Sequence, residues 1–145
     1  MLATAPTREI SIPCPVYARY GFDYYQQTAD GAVALGGGRD KSMDSEWTGD
    51  NEPSEFIQRY LEGILRERLG VTAPITHRWA ANVSYTFNGL PVLAEVRPDT
   101  WVIGGYSGTG NAIGALCGRA AARLASGDTS EFARLLINAG TPETH

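Results

Sequence analysis

The residues best suited to chemistry lie between Trp101 and Ala125. An apolar run, Trp101-Val102-Ile103, leads into Gly104-Gly105, then Tyr106-Ser107-Gly108-Thr109-Gly110-Asn111, then a helical pattern rich in small residues. Glycines at 105, 108 and 110 permit a tight turn and let backbone approach a ligand. The N–H groups at the start of the following helix lack intrahelical acceptors and, with the helix dipole, attract electronegative oxygens. Gly114 and Gly118, one turn apart, let that helix lie close to a sheet or to a flat cofactor. A strand-to-helix connection packed for structure alone accounts for the same spacing equally well. A nucleotide-binding fingerprint does not fit: the spacing is Gly108-x-Gly110-x-x-x-Gly114, one residue longer than G-x-G-x-x-G. Asp128 stands near the distance of a ribose-binding carboxylate but in a turn before a helix.

Other side chains are weaker candidates. Arg39, after the run Gly36-Gly37-Gly38, offers a fork of donors suited to a substrate carboxylate, though an exposed loop arginine explains it as well. Trp79 and Tyr85 can line an aromatic pocket, or form the core face of a strand, with Asn82 and Ser84 opposite. His77 and His145 are the only histidines, and neither has the setting of a base. Cys14, between two prolines, and Cys117, in an apolar helical pattern, have neither metal-ligand nor disulfide-framework spacing. No metal site and no catalytic residue is assigned. The polar stretch Asp40 to Asp44 reads as an exposed loop of the kind that can cover a site.

These groups need elements to hold them. Arg8 to Pro13 alternates like a short strand. Phe22–Thr28 and Ala32–Leu35, joined through Asp30-Gly31, predict a hairpin. From about Pro53, Phe56, Tyr60, Leu61, Ile64, Leu65 and Leu69 recur at helical spacing, and Gly70 suits the helix end. Ile75 to Phe87 is the longest strand candidate, with Trp79, Ala81, Val83, Tyr85 and Phe87 on its inner face. Asn88-Gly89 turns it into a partner strand from Leu90 to Val96. Helices follow from about Ala112 to Ala125 and from Ser130 to Asn138.

The chain has 145 residues, 43% hydrophobic and 19% charged, with 17 glycines and a net charge of −4. That suits one compact domain or pieces of two. No basic stripe invites a phosphate backbone, so nucleic acid is not an expected partner. No apolar run reaches the length of a membrane span, nor does the N-terminus resemble a signal peptide, so the expected setting is cytoplasmic.

Gly105-Tyr106-Ser107-Gly108-Thr109-Gly110-Asn111, together with Ala115-Leu116-Cys117-Gly118-Arg119, resembles the C-terminal flavin-contact motif of the D-amino-acid oxidase superfamily of FAD-dependent oxidoreductases. The nearest branch is that of glycine and sarcosine oxidases and gamma-glutamylputrescine oxidoreductase. Arg78-Trp79, Tyr85-Thr86 and Asn88-Gly89-Leu90-Pro91 are similar to that branch's strand and turn, where an acidic residue commonly precedes the glycine. Tyr24-Tyr25 through Asp30-Gly31 and Gly36-Gly37-Gly38-Arg39 look like its substrate-domain hairpin. The matches run in the family's order over about residues 20 to 126.

The resemblance implies an α+β fold with a mixed or antiparallel sheet and about three helices. Residues 1–98 would belong to the substrate domain, 99–126 to a strand and helix returning to the FAD domain, and 127–145 to a C-terminal helix and tail. Residues 105–111 would face the flavin's pyrimidine edge, with Arg39, Tyr85, Trp79 and Tyr25 on the substrate side. The implied reaction is oxidative deamination of a small amine or amino acid. The family's N-terminal G-x-G-x-x-G segment, which binds the FAD pyrophosphate, has no counterpart in residues 1–20, so FAD is not expected to be retained by this chain alone. The missing flavin-binding segment is thus an expected partner. A stand-alone interaction module that self-associates through its apolar surface is the alternative.

Overall fold

The computed structural model describes residues 1–140. They form two compact units, Met1–Asn82 and the stretch from Val83 onward, with the α+β composition and antiparallel pairing expected.

The first unit is a five-stranded sheet in the order β2-β3-β4-β1-β5, antiparallel throughout. Its strands are β1 (Leu2–Thr4), β2 (Val16–Ala18), β3 (Asp23–Gln27), β4 (Val33–Gly37) and β5 (Ile75–Arg78). The β3–β4 hairpin turns through Asp30-Gly31 as its sequence requires. Asp30 accepts from the Thr28 hydroxyl and from the Ala32 amide, and Gly31 takes a left-handed φ of 96°. Leu2, Val33 and Leu35 point to one face, and α2 (Glu55–Gly63), extended by a π-turn over Ile64–Arg68, lays Ile57, Leu61, Ile64 and Leu65 on them. Fully buried leucines of this kind contribute about 1.5–3 kcal/mol each.

Three expectations need correction here. Arg8–Pro13 is not a strand. It runs as a loop whose Glu9 carboxylate accepts from the Thr72 hydroxyl and from the amides of Thr72 and Ala73. The stretch Asp40 to Asp44 is not a plain loop, since a 3-10 turn (Arg39–Lys41) and the short α1 (Met43–Glu46) run through it. Phe56 is exposed while Gln58 is buried, because Gln58 hydrogen-bonds the Met1 carbonyl and receives Arg78. An amide with two partners satisfies an interior position that the apolar pattern assigns elsewhere.

The second unit is smaller. A hairpin of β6 (Val92–Arg97) and β7 (Thr100–Gly104) turns through Asp99 and carries α3 (Ala115–Ala125), entered by a π-turn over Gly110–Gly114, and α4 (Glu131–Gly140). Leu93, Ala120 and Ala133 form its buried centre, with Trp101, Ile103, Leu124, Phe132 and Leu136 partly buried around them. Here the expected long strand is overturned: β5 stops at Arg78, and residues 79–91 carry no strand. The partner of β6 is β7 rather than residues 75–87. Val83, Tyr85 and Phe87 do not form a core face, with exposures of 57%, 48% and 115%. The Asn88-Gly89 turn does form, with Gly89 donating to the Thr86 carbonyl and Asn88 accepting from Leu90.

Candidate functional site

The loop from Gly105 to Asn111 is shaped by the segment laced onto it. The Ser107 amide donates to the Ser84 carbonyl at 3.1 Å, and the Thr86 amide donates to Ser107 Oγ at 3.2 Å. Gly105, at φ 63°, presses against Thr86: a Cβ there would lie 2.9 Å from the Thr86 methyl. Ser107 is itself left-handed at φ 49°, a conformation that costs a non-glycine residue free energy and persists where surrounding bonds over-determine it. Thr109 turns the chain into the helix, its amide and hydroxyl both donating to the Tyr106 carbonyl.

The result is a short array of outward donors. Among the described residues, no acceptor outside the helix takes the N–H of Gly108, Gly110 or Asn111. As the first residues of the helix, Gly110 and Asn111 have no acceptor within it either. Gly108 and Asn111 are exposed. A Cβ on Gly108 would sit 3.5 Å from the Tyr85 hydroxyl oxygen. Tyr85, Ser107, Gly108, Thr109, Gly110 and Asn111 therefore gather in one place, as does Gly105 behind them.

The helix face is used differently from its reading in sequence. The Tyr106 ring lies over Gly110 and Gly114, at 3.4 and 3.5 Å from where their Cβ atoms would be, whereas nothing lies within 4 Å of that point on Gly118. Tyr106 thus already covers the Gly114 surface that the sequence offers to a flat cofactor. Cys117 is buried, and burial pushes its thiol pKa up, as for a small core residue.

The remaining candidates belong to the first unit. Tyr25 pairs with Leu35 and packs against the hydrophobic core. Trp79 extends the β1–β5 pairing, its amide donating to the Met1 carbonyl while the terminal ammonium donates to the Trp79 carbonyl at 2.7 Å. Asn82 donates through its side-chain amide to the Gly49 carbonyl and through its backbone amide to Asn51 Oδ1. Arg39 is exposed and stands 5.0 Å from the centroid of the Phe22 ring, a cation–π contact. His77 is exposed beside Thr76, with which it shares a hydrogen bond. His145 lies outside the described residues. No group of metal-ligating side chains occurs among the described residues.

One cluster escaped the sequence altogether. Arg19 donates through Nε and Nη2 to Asp23 at 2.5 and 2.8 Å, and through Nη1 and Nη2 to Asp40 at 2.7 and 2.9 Å. Tyr60 on α2 donates to Asp23 at 2.9 Å. Burial alone would raise the Asp23 pKa, but the bonds from Arg19 and Tyr60 outweigh it and leave it lowered. The same guanidinium holds Asp40 down at about 2. Arg19 and Tyr20 are both left-handed, at φ 49° and 58°. Gly36, Gly37 and Gly38 meet Tyr24, the Phe22 carbonyl and Tyr60 respectively, each closer than a side chain allows. The glycine run before Arg39 is thus explained by close packing. The partners are four, twenty-one and forty-one positions from Arg19, too scattered to form a motif.

The loop donors, N–H groups in a turn that takes Gly108 to a left-handed φ of 87°, fit the polar edge of a flavin. They do not amount to a pyrophosphate site. Comparison with known proteins agrees in kind. A probable oxidoreductase OrdL from Rhizobium meliloti (strain 1021) is 34% identical over 117 residues, which is 79% of this chain and 26% of that protein. The crystal structure of L-proline dehydrogenase from P. horikoshii superposes with a TM-score of 0.68 at 21% identity, covering 90% of this chain and 35% of that one. The chain thus spans about a quarter of the curated relative and a third of the solved one. The family described as DAO, FAD dependent oxidoreductase, matches residues 1–124, and the chain belongs to it.

Proposed function

We propose that this chain supplies the substrate side and the flavin-edge loop of an enzyme that oxidises a small amine or amino acid, and that by itself it neither retains FAD nor turns over. The carrying observation is the donor array at Gly108, Gly110 and Asn111, held open by the 84–86 segment inside the stretch that matches the family. A relative of the same fold is named for L-proline, a small amino acid. In this reading residues 1–98 belong to the substrate domain, 99–126 return to the flavin domain, and 127–145 complete the C-terminus. FAD, when bound, accepts a hydride equivalent from the substrate carbon. The chain's own part is to orient the ring, through amides set where negative charge accumulates on reduction. The partner this requires is a segment bearing a G-x-G-x-x-G loop. Nucleic acid and membrane are not proposed as partners, and the proposed location is the cytoplasm; among the described residues no helix is long and apolar enough to cross a bilayer.

Absorbance of the purified chain tests the reading. Alone it is expected to show no flavin band near about 450 nm, the cofactor's own absorption. Joined to the polypeptide encoded in frame upstream, it is expected to hold one FAD. Tight stoichiometric FAD on the isolated chain overturns the dependence on a second segment. An upstream sequence without a strand and G-x-G-x-x-G loop overturns the assignment itself.

A second reading, a self-associating module built on this fold, is favoured by apolar exposure in the second unit. Val96, Val102, Leu116, Leu135 and Ile137 are all open, and surfaces of this kind are normally covered. A discrete, reversible oligomer in sedimentation, unaffected by FAD and the upstream segment, would support it over the enzyme.

A further inference from the structure

We propose that Asn88 is a self-modification site, at which the Gly89 backbone nitrogen displaces the side-chain amide and turns asparagine into aspartate and isoaspartate. The chemistry belongs to the residue pair. Glycine sets no side chain beside its own nitrogen, so that nitrogen can reach the side-chain carbonyl carbon of the residue before it. Asn88-Gly89 is the only Asn-Gly pair in the chain.

The turn presents the pair for reaction. Both residues are exposed, and nothing lies within 4 Å of where a Gly89 Cβ would be. Asn88 Oδ1 accepts from the Leu90 amide at 3.0 Å. That bond draws electron density from Cγ, and the ring it closes contains both Cγ and the Gly89 nitrogen. The Gly89 N–H is held by the Thr86 carbonyl at 3.2 Å, a distance at the long end for an amide donor. Asn82 differs on each count. It precedes β-branched Val83, and its side-chain amide is engaged with the Gly49 carbonyl.

In the reaction the Gly89 nitrogen gives up its proton and bonds Cγ. The Cγ–Nδ2 bond breaks, and ammonia leaves with that proton. Water then opens the cyclic imide at either carbonyl, giving aspartate where the bond to Cγ breaks and isoaspartate where the main-chain bond breaks. One water is consumed, one ammonia is released, and nothing is oxidised or reduced. The imide nitrogen carries no hydrogen, so its bond to Thr86 is lost, and isoaspartate routes the main chain through an extra carbon. Thr86 is what ties this turn to the 105–111 loop: its hydroxyl donates to the Leu90 carbonyl and its amide to Ser107 Oγ. Conversion therefore loosens the hold on Ser107, whose left-handed φ of 49° depends on its surroundings.

Incubating the purified chain at neutral and mildly alkaline pH tests this, with mass spectrometry of peptides spanning positions 82 and 88. Asn88 is expected to change from amide to acid on the order of tenfold or more faster than Asn82, since glycine leaves the attacking nitrogen open and valine crowds it. The rate should rise in the alkaline buffer, and electron-transfer fragmentation should find isoaspartate among the products. Hydrogen exchange of the Thr86 and Ser107 amides should quicken as the wild type ages and stay constant in an Asn88→Gln protein aged beside it. An Asn88 that keeps its amide while a free peptide of residues 84–92 loses its own overturns the proposal. Conversion without faster exchange at 86 and 107 overturns the link to the loop. Both outcomes are independent of the flavin-edge reading, which FAD loading decides.

Discussion

The two units spend their apolar residues in opposite ways. The first closes eight buried side chains between five strands and a helix, and settles a buried carboxylate with a guanidinium and a phenol. The second buries four among the described residues, Leu93, Cys117, Ala120 and Ala133, only one of them large, and leaves Val96, Val102, Leu116, Leu135 and Ile137 open. One region is organised to hold itself together, and the other to present a surface and a loop. A site that needs backbone amides facing outward cannot also bury them, so the part richest in chemistry is the part poorest in core.

Substitutions can break this contrast. The largest effect is expected at Gly37, whose φ is 126° and whose Cβ would fall 2.1 Å from the Phe22 carbonyl. Gly37→Ala should cost about 3 kcal/mol or more, through backbone strain and a clash with main chain, seen as a lower urea midpoint for the first unit. Leu61→Ala should cost about 2–5 kcal/mol in the same assay, against a smaller loss for Leu93→Ala, which sits in the thinner core and can relax into open space. Equal losses at 61 and 93 would erase the distinction between the units.

The charged cluster sharpens it further. Asp23→Ala leaves Arg19 with Asp40 alone and Tyr60 without its carboxylate, and is expected to cost about 1–3 kcal/mol, as for the loss of hydrogen bonds to a charged group. Acid acts on the same contacts. Asp23 and Asp40 both have lowered pKa values in the fold, so their contribution is complete above the ordinary carboxylate value of 3.8 and is lost as pH falls toward about 2. An Arg19→Met protein should lose stability relative to wild type at neutral pH and converge with it near pH 2, followed by circular dichroism. The smallest effect belongs to Gly118→Ala, where nothing lies within 4 Å and the helix gains about 1 kcal/mol. A loss there would mean something packs on that face.

What the sequence makes legible is what local chemistry decides. Asp30-Gly31 specifies its hairpin through a side-chain oxygen and a left-handed glycine, both local. The helix at Glu55–Gly63 follows from apolar spacing, and the loop at 105–111 from its glycines. Residues 79–91 misled because alternation reports which side chains could face a core, and says nothing of whether a partner strand exists. Here the backbone of Ser84 and Thr86 bonds Ser107 instead. The Arg19 cluster and the Glu9 clamp on Thr72 join positions far apart in the chain, and no window of sequence contains them.

The three residues of β1 lie between β4 and β5, paired with positions 34–35 on one side and 75–78 on the other. Within this sheet β1 therefore precedes the other strands in the chain, and its neighbour β5 follows some seventy residues later. Leu2 can meet Leu35 once β4 is made, but the other edge of β1 waits for β5, and closing so long a loop is slow. The second unit is assembled from neighbours in sequence, with turns of a few residues. Nascent chains should thus emerge with the β1 edge of the first sheet unpaired, exposed to protease and to wrong edge pairing, and become resistant only once Arg78 has cleared the exit tunnel.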